Sequence, residues 1–313
     1  MLINKIKELM ENEKNYIENT NPQKENTREM SKSAEIMKSF LDCNCKYYPL
    51  NAEDNDVICG YVESFERAKE EKFIPVIVDI SENILDAVIM NTVIDSDDDS
   101  ESILDSGILE ADKREELLKT GIIDYETREK IDRYRKNMIS KDFSNGKELL
   151  DVMIENNSEY FGGYELERDE LEVEDDPTAD IDDLDFEEEM ENRGEILIAE
   201  IPVENPWEIF AYIPFGGWND CPSNEDIMAI SKYWFEKYGA VPCAISHNTL
   251  EYIIEKAVDD EDKIRFTEEF YAFCPDSVDK YMEKKYGTSA GTKIININIE
   301  IKFNIVINFR INN

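Results

Sequence analysis

The chain has 313 residues, and 41% of them are hydrophobic, enough for a sizeable core in one large or two modest domains. Its 73 acidic residues against 34 basic ones leave a formal charge of -39, which excludes a nucleic-acid surface in our reading, because neutralising phosphates takes clustered Lys and Arg. No basic leader with an apolar run behind it and no apolar stretch of transmembrane length occurs, so a cytoplasmic protein that neither enters nor spans a membrane is expected.

The first forty residues predict two helices. Leu2, Ile3, Ile6, Leu9 and Met10 recur at helical spacing, and a second pattern runs from about Arg28 to Leu41. Residues 1–58 thus read as a helical N-terminal extension. Tyr61 to Lys72 predicts a helix that feeds the apolar run Phe73 to Val78, a buried strand with Pro75 near its start. Glu82 to Asn91 predicts a returning helix. The acidic run Asp95 to Ser102 fails as a calcium loop, since Ser100 stands where the glycine belongs and Ser106 where the closing glutamate belongs. Charged helical stretches fill residues 111–157, with Ile131, Tyr134 and Met138 on one face and Leu149, Leu150, Met153 and Ile154 on another. These complete an α/β and helical region over residues 59–164.

From Glu165 to Glu195 the chain has 17 acidic and 2 basic residues, a run whose self-repulsion predicts an extended linker or exposed loop over residues 165–194. An α+β module is expected over residues 195–286. It opens with a strand from Ile196 to Pro202 and a short helix beginning at Pro206-Trp207. Ser223 is the expected N-cap of a helix over Glu225 to Tyr238 that Gly239 ends. Ala240 to Ser246 and Thr249 to Ala257 predict a hairpin turning at His247-Asn248, with Leu250, Tyr252 and Ile254 on one side. Glu261 to Phe273 is the closing helix, stopped by Cys274-Pro275. The fold class expected is therefore α+β, a mixed sheet covered by helices. In the tail, residues 287–313, Ile or Phe falls at every second position from Ile295 to Ile311. That is either a strand of unusual length or a low-complexity or read-through end.

The stretch from Ile201 to Pro222 holds Trp207, Trp218, the pair Gly216-Gly217 and Cys221-Pro222. Paired glycines let the backbone turn where a Cβ would clash, so this reads as a tight loop with aromatic anchors that presents Asn219, Asp220 and Cys221 beside a helix N-terminus. The runs PWEIFAYIPFGGWNDCP (206–222), KYWFEKYGAVPCAISHNTLEY (232–252) and EEFYAFCPDSVDKY (268–281) resemble the bacterial family known as domain of unknown function 4253. EEKFIPVIV (70–78) resembles a strand found upstream in such proteins, and Asn248 stands where the family pattern has an aspartate. The resemblance implies a fold and a shared pocket, without a reaction.

Three readings share that corner. The first is a non-enzymatic interaction protein that neutralises a basic partner such as a toxin, favoured by the charge and by the lack of a phosphate loop or Gly-x-Ser-x-Gly motif. The second is a thiol-dependent hydrolase or transferase, with Cys221 or Cys274 as nucleophile, His247 as base, and Asp276 or Asn219 orienting it. The third is a ligand pocket walled by Trp207, Trp218, Tyr238 and Phe273, with Glu251 and Asp276 as polar handles. The six cysteines form no CxxC pair, and Cys43-x-Cys45 is too close for the usual zinc spacing, so reduced thiols, no metal and no cofactor are expected.

Overall fold

The computed structural model describes residues 29–80, 82–91, 116–117, 119–156, 194–217, 221–254, 258, 260–274 and 306–310. The predicted first helix, the calcium-loop candidate and the acidic stretch before Gly194 lie outside these residues.

Five strands make a mixed sheet: β1 (Asn44–Tyr48), β2 (Ile74–Ile80), β3 (Glu195–Ile201), β4 (Ala240–Ile245) and β5 (Thr249–Ile254). Their spatial order is β1-β3-β2-β4-β5, and a short sixth strand, β6 (Val306–Arg310), pairs antiparallel with β5 at the edge. Only β2 and β4 run parallel; the other pairs are antiparallel. Strand β3, which follows the acidic stretch in sequence, lies between β1 and β2, which precede it. Two prolines fit where ladder bonds are dispensable. Pro75 precedes the Ile77↔Ala244 pairing of β2 with β4, and Pro242 adjoins a bulge in β4.

The helices are α1 (Lys32–Leu41), α2 (Asp54–Ala68), α3 (Glu82–Asn91), α4 (Tyr125–Ser140), α5 (Gly146–Asn156), α6 (Asn224–Tyr238) and α7 (Asp260–Phe273), with a 3₁₀ helix at Pro206–Ala211. Alternation along the strands divides the core between two faces. Val76, Val78, Leu197, Ala199, Leu250 and Tyr252 face the larger layer, built from α1, α3 to α7 and the 3₁₀ helix. Ile196, Ile198 and Cys243 face α2, which covers them with Val57 and Tyr61.

Two expectations change. Strand β1 has no counterpart in the helical reading of residues 1–58; the edge of β3 recruits Asn44 to Tyr48 into the sheet. Helix α2 starts at Asp54 rather than Tyr61, because Val57, Tyr61 and Ser64 recur on the face that meets the sheet. Strand β5 agrees with the prediction over Thr249–Ile254, and residues 255–257 lie outside the described residues. The predicted tail strand is represented by Val306–Arg310, and the rest of residues 287–313 lies outside the described residues.

The caps follow the local sequence. Ser223 accepts from the Asp226 N–H and starts α6, while Gly239, at φ 72, gives its N–H to the Phe235 carbonyl and ends it. Asp124 caps α4 by accepting from the Thr127 N–H at 2.7 Å.

Candidate functional site

The Gly-Gly corner is built from three local devices. At its entry, Glu208 reaches back along the 3₁₀ helix and accepts from the backbone N–H groups of Glu204 (3.1 Å) and Asn205 (3.0 Å). At its centre, Gly216 and Gly217 take φ of 89 and 78, and Gly217 donates its N–H to the Pro222 carbonyl at 2.9 Å. A Cβ on Gly216 would stand 2.1 Å from that carbonyl oxygen and 2.6 Å from Ile227 Cδ1, so glycine is required here by contact as well as by backbone conformation. At its exit, the Asn224 side chain ties the corner to its surroundings. It accepts from the Phe215 N–H at 2.9 Å and donates to Tyr134 Oη at 3.0 Å and to the Phe210 carbonyl at 3.1 Å.

Cys221 lies under the glycine pair, 3.3 Å from where a Gly216 Cβ would be. Burial, and then the nearby Cys274, push its thiol from an ordinary 9.0 to about 12, against the opposing effect of the Gly217 N–H. The corner therefore brings together Gly216, Gly217, Cys221 and Cys274 over the buried Tyr252, whose hydroxyl meets Ser231 Oγ at 2.5 Å. His247 occupies the β4–β5 turn, closed by the Ser246 N–H to the Thr249 carbonyl at 2.9 Å. Glu251 is adjacent to Tyr252 in β5 and so projects to the opposite face of the sheet, where its charge raises the Cys243 thiol after burial has done most of the work. Trp207 rests on Phe235 with ring centroids 5.6 Å apart and carries Lys232 over its ring, while Tyr238 and Phe273, in the same core, join a cluster of rings around Phe266 and Trp234. Trp218, Asn219 and Asp276 lie outside the described residues.

That other cluster is absent from the sequence reading. Glu269 has no solvent exposure. Its Oε1 accepts from Tyr233 Oη (3.1 Å) and Arg265 Nε (2.8 Å), and its Oε2 accepts from Trp234 Nε1 and Tyr238 Oη, both at 3.2 Å. Four donors use the four lone-pair positions of the carboxylate, which makes it a clamp between α6 and α7 with no acceptor capacity left for a ligand. Burial, with the Glu269 charge next, pushes the Tyr233 hydroxyl up to about 12 and raises Tyr238 further. Arg265 extends the clamp to Asp151 of α5. A signal for it exists in the sequence: Glu269 shares one helical face with Phe266 and Phe273, and a charge on an apolar face needs buried partners.

Residues 197–294 match the family model described as Domain of unknown function (DUF4253). The chain carries a DUF4253 domain. The match holds the corner, His247, Glu251 and the Glu269 clamp; the Phe73 to Val78 strand, β1 and all of α1 to α5 lie before it. Two strands outside the DUF4253 match, β1 and β2, nevertheless flank its first strand in the sheet. No curated protein and no solved structure gives a match to the chain. Among the described residues, no three or more His, Cys, Asp or Glu side chains are grouped to hold a metal ion, and no helix is long and apolar enough to cross a membrane.

Proposed function

We propose that this protein is a non-catalytic cytoplasmic binding protein whose partner is a basic protein. The observation that carries this reading is the charge imbalance: pairing every one of the 34 basic residues with one carboxylate would still leave 39 of the 73 acidic residues uncompensated. Basic residues are shared where they do pair. Arg67 serves Glu71 and Glu200, and Arg265 serves Asp151, Glu268 and Glu269. A surface of this sign speeds capture of a cationic partner and repels nucleic acid and anionic membrane.

The thiol-enzyme reading has less support. A nucleophilic cysteine needs its thiolate, and Cys221 is pushed the other way, to about 12, largely by burial. The ligand-pocket reading has less support as well, because Tyr238 and Phe273 are buried in the core.

The test is capture on the immobilised full chain at about 0.05 M and about 0.5 M salt, followed by titration of each purified captured protein. Basic proteins that bind at low salt and weaken at least tenfold at high salt are expected. Retention of neutral or acidic proteins, insensitive to salt, would overturn the reading.

A further inference from the structure

The chain leaves α1 through Asp42 in the left-handed region, at φ 52, and enters β1 with Cys43, Cys45 and Tyr47 on one side. The Cys43 and Cys45 sulfurs are 3.8 Å apart, and both residues are half-buried. Cys43 lines an open depression of about 810 Å³ together with Glu35, Lys38 and Asp42.

A buried cation stands beside the pair. Arg135 is 5% exposed and donates from Nη2 to the Phe40 carbonyl at 2.7 Å. Its guanidinium lies 4.1 Å from the Tyr212 ring centroid, and its Nε has no hydrogen-bond partner among the described residues. Its ion pair with Asp132 is long at 3.7 Å. Burial and the Glu200 charge oppose a thiolate at either sulfur, while the Arg135 field favours one at Cys43 and the Lys38 field one at Cys45. Within the pair, the hydrogen bond between the two sulfurs is the largest influence: it draws Cys45 below the ordinary thiol range and sends Cys43 above it.

We propose that Cys43 and Cys45 form a thiol–disulfide exchange site whose oxidant is a low-molecular-weight organic disulfide received in the adjoining depression. The thiolate of one cysteine attacks one sulfur of the disulfide RS–SR, forming a mixed disulfide and expelling RS⁻. The other cysteine then gives its proton to solvent and its sulfur attacks the first, 3.8 Å away before reaction, forming the Cys43–Cys45 bond and expelling the second RS⁻. The dithiol loses two electrons and two protons overall, and RS–SR becomes two RSH.

Closing the bond shortens the sulfur separation by about 1.8 Å. Strand β1 can accommodate that because it is the sheet edge and is bonded on one side only, to β3. Cys43 lies in the bend between α1 and β1, one residue before the strand, so closure falls at the end of the ladder rather than inside it. Two other thiols contrast with this pair: Cys221 at the corner and Cys243 on the opposite face of the sheet are buried, and burial raises both.

The experiment equilibrates the full chain in a series of reduced and oxidised glutathione buffers, blocks thiols by alkylation, and reads the tryptic peptide that ends at Lys46 and contains both cysteines. The expected result is a reversible two-electron transition to an unalkylated peptide two hydrogens lighter. A peptide that stays doubly alkylated throughout, or that carries glutathione without ever forming the internal bridge, would overturn the proposal. Cys43→Ser and Cys45→Ser should each take up one glutathione on the remaining cysteine and form no internal bridge; failure of both variants to take up glutathione would overturn the exchange step. Circular dichroism of both variants should match the parent, since each swap replaces one sulfur by oxygen at a half-buried position.

Discussion

Trp234 gives its indole N–H to the Glu269 carboxylate across 3.2 Å, and neither residue is exposed to solvent. The rings of Tyr252, Phe266 and Phe273 pack edge-on around the same indole at centroid distances of 5.2 to 6.1 Å. A charge inside an aromatic cluster is tolerated because every lone pair is used and Arg265 balances it.

Glu269→Ala should therefore cost about 3 kcal/mol or more, because it strands three buried or half-buried donors and a cation. Glu269→Gln keeps both side-chain positions but swaps one acceptor for a donor, and should cost less. Urea denaturation measures both. An alanine variant as stable as the parent would show that the clamp contributes nothing.

Two glycines of positive φ should respond differently to alanine. At Gly239, φ 72 and no atom within 4 Å of an added Cβ leave only backbone strain, about 1 kcal/mol. At Gly216, φ 89 is joined by the collision with the Pro222 carbonyl at 2.1 Å, so the loss should exceed about 2 kcal/mol. Equal melting-temperature shifts for the two variants would contradict the contact at the corner.

Alkaline pH should destabilise the fold. Burial raises Cys221 from 9.0 to about 12 and Cys243 well above 9.0, so the unfolded chain releases these protons first. Stability is then fully present below about pH 9 and is lost as the pH rises toward about 12. Denaturation midpoints compared at about pH 7.5 and about pH 10.5 should fall for the parent and fall less for Cys221→Ala. Identical slopes in the two proteins would exclude Cys221 as a contributor.

Salt should raise the melting temperature of the isolated protein. A charge of -39 repels itself, and about 0.15 M NaCl shortens the screening length to about 8 Å. A scan from low salt upward that stays flat would mean that the carboxylates are spaced beyond each other's reach.

Much of the local structure follows from short-range chemistry. Ser223 starts α6 and Gly239 stops it, and Leu250, Tyr252 and Ile254 turn inward at every second position of β5. A cap or an alternation needs only neighbours within four residues, so residue order alone specifies it. Other relationships were decided by the fold. Strand β3 lies between β1 and β2 because sheet edges pair by complementary registers, which no local period encodes. Glu269 finds Trp234 35 residues away, and Arg135 meets the Phe40 carbonyl 95 residues away, only once α7 has packed on α6 and α4 on α1. A side chain's charge can be read from its code. Its partners depend on which surfaces the hydrophobic core has pressed together, and that is settled by packing the whole chain at once.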